Sequence, residues 1–186
     1  YSFAVKSIVS IYSFPQDFVY ADFIAKVGQY YQVDSSIFLN RIQHFLSEKE
    51  QEASNFVPSV AIPSHDEVVL TDDQQKVYES IAPSIAAKKH ETFLLHGVTG
   101  SGKTEIYKKL AHDVLLEGKS VILMLPEVCL ALRFQKIFEA CFSSVPVIGF
   151  HSVSSVSQKK LLWQMLLEQK PMIIVGVHMP ILLPIA

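Results

Sequence analysis

Gly97-Val98-Thr99-Gly100-Ser101-Gly102-Lys103-Thr104 is the stretch that decides how this chain folds. It matches GxxxxGK(S/T) at every fixed position. A short apolar run, Phe93-Leu94-Leu95-His96, precedes it, and a segment of helical period, Glu105 to Leu116, follows. Phosphate oxygens concentrate negative charge, so a backbone that grips them must curl with several N–H groups pointing inward. Gly97, Gly100 and Gly102 remove side chains where the chain must turn or approach closely. The following helix begins at the phosphates, and its unpaired N–H groups and positive dipole end add attraction. Lys103 places a point charge on the β- and γ-phosphates, and the Thr104 hydroxyl ligates Mg²⁺. Val98, Thr99 and Ser101 complete the nucleotide-binding positions, with ATP and Mg²⁺ as the expected ligands. An accidental glycine-rich turn is the alternative. Its chance in a chain of this length is on the order of one in a hundred, and the strand and helix flanks lower it further.

Outward from the loop the pattern alternates. Thr71 caps a helix reaching about Ala87, and Thr92 to His96 is a short strand. Glu105 to Leu116 is a helix closed by Gly118, Ser120 to Leu125 a strand, and Leu130 to Phe142 a helix. Val145 to Phe150 is a strand, Ser157 to Glu168 a helix, and Met172 to Val175 a final strand. Short apolar strands separated by helices predict an α/β fold, a parallel sheet with helices on both faces. Lys88-Lys89 and Lys159-Lys160 read as solvated helix faces.

The front differs. Residues 1–50 hold an apolar stretch, Ile8 to Phe14, then two helical patterns. The first spans Val19 to Tyr31, with Phe23, Ile24, Val27, Tyr30 and Tyr31 on one face. The second follows Asp34-Ser35-Ser36 and carries Ile37, Phe38, Ile42 and Phe45. Residues 51–69 are polar or broken by Pro58 and Pro63, which predicts a linker before a lobe spanning 70–186.

Of 186 residues, 49% are apolar and 18% charged, and the net charge is −2, which is globular composition without a broadly cationic coat. Cys129 and Cys141 lack a CxxC spacing, so both read as free thiols in a reducing compartment. No membrane span is expected, since the apolar stretch Met172 to Ala186 is short and contains His178, Pro180 and Pro184. The start at Tyr1 and the apolar tail Ile181 to Ala186 read as cuts in a longer polypeptide.

Leu70-Thr71-Asp72-Asp73-Gln74 resembles the Leu-Thr-x-(Glu/Asp)-Gln segment upstream of the phosphate loop in superfamily 2 helicases. There the glutamine amide, donor and acceptor at once, reads the adenine edge. Downstream come Leu125-Pro126-Glu127 after a strand, Gly149-Phe150-His151-Ser152, Trp163 in the next helix, and Val175-Gly176. With the loop and Glu105, these make residues 70–186 resemble the PriA family of primosomal replication-restart helicases. Phe14-Pro15 and the Tyr30-Tyr31 pair extend the likeness weakly over the front, as the end of an N-terminal DNA-binding region.

The resemblance implies a first RecA-like helicase lobe in a 3′-to-5′ DNA helicase. That enzyme recognises stalled or abandoned forks and initiates primosome assembly. Implied partners are forked or single-stranded DNA, primosome and helicase-loading proteins and single-strand-binding protein, in the cytoplasm at the nucleoid. Pro126, Glu127, His151 and Ser152 would lie along DNA at strand ends, where open α/β sheets place ligands. A polar residue closing a strand is the alternative for His151. Trp163, Cys129 and the Tyr30-Tyr31 pair read as packing rather than chemistry.

The chain departs from the family in two places. Gly176-Val177-His178-Met179 stands where the family has Gly-Thr-Arg-Ser, and Ala131-Leu132-Arg133 where it has Thr-Pro-Gln. No Asp-Glu-x-His stretch occurs, so the lobe is expected to be cut before its Walker B motif, with zinc-binding cysteines only in sequence beyond it. Another superfamily 2 translocase, RecG-like or a restriction motor subunit, and a non-catalytic ATP-binding module are the alternatives.

Overall fold

Side chains of a strand alternate between two faces, and that alternation builds both layers of the core. The computed structural model describes residues 18–46 and 69–185. Its strands are β1 (Val121–Met124), β2 (Val147–Phe150) and β3 (Ile173–Gly176), parallel and in the order β1-β3-β2. The helices are α1 (Phe18–Tyr31), α2 (Ser36–Leu46), α3 (Asp72–Ala86), α4 (Lys103–Leu116), α5 (Val128–Cys141) and α6 (Val156–Leu167), followed by a 3₁₀ turn, Met179–Leu182. All four residues of β3 are buried. Ile173 and Val175 join Ala111 and Leu115 of α4 and Ala131 and Phe138 of α5. Ile174 points the other way, to Leu162, Met165 and Leu166 of α6 and to Ile42 of α2. Helices therefore cover both faces, as the sequence pattern predicts.

Level registration matters for function. Met124, Gly176 and Phe150 stand side by side, so the loops after all three strands emerge at one edge.

The strand expected at Thr92–His96 does not form. No strand among the described residues pairs with it, and Leu94 is 93% exposed. An extended run of apolar residues becomes a strand only where a neighbour takes its main-chain groups. Among the described residues the sheet thus has three strands rather than four.

The front helices share the core with α6. The Tyr20 hydroxyl donates to the carbonyl of Leu182 at 2.7 Å, and Ile42 is fully buried. The buried face of α1 is Tyr20, Ile24 and Gly28, so the expected face is rotated, and Tyr30 and Tyr31 are exposed. An amphipathic tyrosine with a distant acceptor outweighs the aromatic pair. The apolar stretch Ile8 to Phe14, Phe14-Pro15 and the linker up to residue 68 lie outside the described residues, as does the side chain of Phe45. Lys159 is buried at 7% exposure, not solvated, because it continues the inward stripe of Leu162 and Leu166.

Candidate functional site

The phosphate loop is made of main chain and closed by its own lysine. Gly102, at φ 79° and ψ 22°, is the N-cap of α4. Such a left-handed residue aims the first amides of α4 at whatever lies beyond the helix end, and only the third, that of Glu105, turns back to the Gly102 carbonyl, at 2.9 Å. The Lys103 ammonium donates to the carbonyls of Gly97 at 2.7 Å and Val98 at 2.8 Å. The Ser101 amide donates to the Val98 carbonyl at 3.2 Å. A Cβ on Gly97 would meet Ser101 Oγ at 2.7 Å, and one on Gly102 would collide with the Gln74 amide. Thr104 sits half-buried in the first turn of α4. Thr99 and Val98 are exposed at the tip.

Gln74 reaches this loop from α3. Thr71 caps that helix in a capping box: Gln74 N donates to Thr71 Oγ1, and Gln74 Oε1 accepts from Thr71 N at 3.0 Å. Its Nε2 donates to the Ser101 carbonyl at 3.2 Å. Partners of unambiguous type fix which end of the amide is oxygen. One N–H of Nε2 and one lone pair of Oε1 remain beyond those bonds. The loop and Gln74, predicted as one site, are brought together.

Helix α3 rests on α4 through a second polar tie. The Tyr78 hydroxyl donates to Asp113 Oδ2 at 2.5 Å, and Lys109 Nζ lies 5.8 Å from the centre of the Tyr78 ring. Hydrogen bonding to the carboxylate, with burial, pushes the Tyr78 hydroxyl up to about 12. Sequence reasoning passed over Tyr78 and Asp113, although a residue four after Gln74 shares its helix face.

The common edge of the sheet carries the other predicted positions. Pro126 and Glu127 are exposed after β1, and Glu127 is the N-cap of α5 without a side-chain cap bond. Ser152 is exposed after β2, whereas His151 is turned inward at 5% exposure. Its main-chain amide donates to Ser154 Oγ at 2.9 Å, and Ser154 Oγ donates to the Gly149 carbonyl at 2.7 Å. The ring lies 3.4 Å from Gln135 Oε1, and Gln135 Nε2 donates to Glu139 at 2.8 Å. Burial lowers the His151 imidazole below its ordinary range. A side chain at Gly149 would strike both Gln135 and His151. Gln135 and Ser154 were not anticipated. An amide on the stripe Ala131, Gln135, Phe138 was the available signal, since a buried polar group must find a partner.

His178 stands at φ 60°, ψ −55°, with Met179 N donating to the Val177 carbonyl at 2.7 Å. This is a positive-φ γ-turn, strained for any residue with a Cβ. Its imidazole is exposed, and Met179 packs on the core. Cys129 is exposed rather than packed, and both cysteines are free. Among the described residues no cluster of three or more His, Cys, Asp or Glu could hold a metal, and no helix is long and apolar enough to cross a membrane.

A lysine-closed glycine loop at the head of a helix, beside a parallel sheet covered on both faces, defines a RecA-like P-loop nucleoside-triphosphatase lobe. The family model for DEAD/DEAH box helicases matches residues 71–185, and the chain belongs to that family. It is 37% identical over 115 residues to the replication restart protein PriA of Bacillus subtilis (strain 168), covering 62% of this chain and 14% of that protein. Against PriA of Treponema pallidum (strain Nichols) it is 32% identical over 139 residues, 74% of this chain and 20% of the relative. Against PriA of Rickettsia felis it is 35% identical over 136 residues, 73% and 19%. The motif resemblance is thus borne out along most of the chain. The chain spans a fifth or less of the length of these relatives.

Proposed function

We propose that this chain is the nucleotide-gripping part of an ATP-driven, 3′-to-5′ DNA helicase that acts at stalled or abandoned replication forks and starts primosome assembly. The relatives, named as replication restart proteins, support the biological setting. The observation that carries the chemistry is the Gln74 amide bolted over the phosphate loop with one donor and one acceptor to spare. Adenine offers an N–H donor at N6 and an acceptor at N7, which matches that pair. Guanine offers two acceptors there, which does not.

The loop fits a Mg-triphosphate, since Cβ atoms at Gly97 or Gly102 would fill the cradle. Lys103 would exchange the carbonyls of Gly97 and Val98 for β- and γ-phosphate oxygens, a stronger charge-assisted bond. The amides of residues 98–104 other than that of Ser101, which is bonded to the Val98 carbonyl, would take the remaining oxygens, and the Thr104 hydroxyl would hold Mg²⁺. When bound, the ion neutralises charge on the phosphates. Forked or single-stranded DNA would run along the common strand edge. There the first-turn amides of α5 and the Ser152 hydroxyl suit phosphate, beside Pro126 and Glu127. His151, buried, would hold that loop in shape rather than touch DNA. Primosome proteins, helicase loaders and single-strand-binding protein would be the partners, in the cytoplasm at the nucleoid. Zinc would belong to other parts of such a helicase.

Titration with a fluorescent ATP analogue and Mg²⁺ tests the reading. Saturable association that Lys103→Ala weakens by roughly two orders of magnitude is expected, with ATP turnover by this chain close to background. Absence of saturable binding sinks the motor assignment. Binding untouched by Lys103→Ala sinks the role of the loop.

A further inference from the structure

Helix α3 is attached by polar ties more than by burial. None of its residues is buried, and Pro83 interrupts its hydrogen-bond ladder. Two side chains on one face reach the rest of the lobe: Gln74 to the Ser101 carbonyl at 3.2 Å, and Tyr78 to Asp113 Oδ2 at 2.5 Å. They are four residues apart, one helical turn, so where Tyr78 is anchored decides where Gln74 lands. The anchor is stiff. An O–H to carboxylate bond is short and directional. The carboxylate is also flanked by His112 Nδ1 at 3.5 Å, and the tyrosine ring is covered by Lys109 at 5.8 Å. The capping box at Thr71 holds the other side of the Gln74 amide.

We propose that the Tyr78–Asp113 hydrogen bond is a positioning device for base recognition: it sets the height of Gln74 above the phosphate loop, and thereby the preference of this chain for adenine over guanine nucleotides. The inference rests on Gln74 reading the base. Tyr78 and Asp113 are positioning residues, because they act through Gln74. The phosphate grip, made by residues 97–104, is independent of them. Losing the tie therefore costs base selectivity and leaves affinity for bare phosphates alone.

Binding of ATP, GTP and inorganic tripolyphosphate, each with Mg²⁺, separates these effects. Gln74→Ala is expected to collapse the ATP-over-GTP ratio. Tyr78→Phe and Asp113→Ala should each lower that ratio roughly tenfold, the scale of one charged hydrogen bond. The double variant should be no worse than either single one. Asp113→Asn keeps an oxygen acceptor and should retain most of the ratio. Tripolyphosphate affinity should stay unchanged in the Tyr78 and Asp113 variants. A ratio lost in Gln74→Ala but intact in Tyr78→Phe overturns the positioning role and spares the base-reading role. Tripolyphosphate binding that falls in step with ATP also overturns it, since a loosened fold would do that. A ratio that Gln74→Ala leaves intact removes the base-reading role, and the positioning role with it.

Discussion

The phosphate loop and strand β3 are built from opposite materials. Loop residues 97–101 are exposed, and they act through main-chain groups and one ammonium. In β3 all four residues are buried, and the strand acts through its side chains, which serve both layers of the core. Loop positions are therefore sensitive to added atoms and β3 positions to removed ones. Stability and ligand affinity should come apart when the two are varied separately.

The largest effect belongs to β3. Ile174→Ala deletes buried methyl groups between α6 and α2, and should destabilise by about 2–5 kcal/mol in urea unfolding. Nucleotide affinity of the molecules that remain folded should not change. An affinity loss at low temperature, where the variant is folded, would erase the contrast between the two regions.

Lys103→Ala is the mirror experiment. It removes the one mobile charge that closes the loop, so affinity for Mg-ATP should fall by roughly two orders of magnitude. Its hydrogen bonds to Gly97 and Val98 are exposed, and the melting temperature should move by only a degree or two. A large drop in melting temperature would mean that the lysine supports the fold as well.

Gly102→Ala sharpens the contrast with a single added methyl. At φ 79° a Cβ is strained, and here it would also push the Gln74 amide off the loop. Roughly tenfold weaker ATP binding is expected, with about 1–2 kcal/mol lost from stability. If calorimetry shows undiminished ATP affinity, Gln74 does not sit where the nucleotide binds.

How far each region could be read beforehand follows from how local its physics is. The loop lies within eight contiguous residues, so its place at the head of a helix followed from the motif and its flanks. The layers of the sheet followed from periodicity for the same reason. Thr92–His96 misled because an apolar run does not encode its neighbour. The face of α1 misled because the acceptor of Tyr20 lies at Leu182, far along the chain. Helix ends were half legible. α1, α3, α4 and α6 all close with a left-handed residue and the same pair of backbone bonds, yet only α4 uses a glycine, Gly118, while Gln32, Lys88 and Gln169 take the others. The inward turn of His151 was invisible because Gln135, sixteen residues away, is what receives it.

That buried histidine gives the smallest of the expected effects, and it belongs to neither material. Burial holds the His151 imidazole below the ordinary value of 6.5, so the folded chain binds this proton less readily than the unfolded one. As pH falls below 6.5, the unfolded chain takes up this proton first, and stability declines toward the folded value. Urea midpoints compared between pH 7.5 and 5.5 should fall more in the native chain than in His151→Gln, which keeps a polar side chain without a titrating group. If both chains fall equally, His151 is not the source of the acid sensitivity. The loop ending in Ser152 would then be held by Ser154 and the main chain alone.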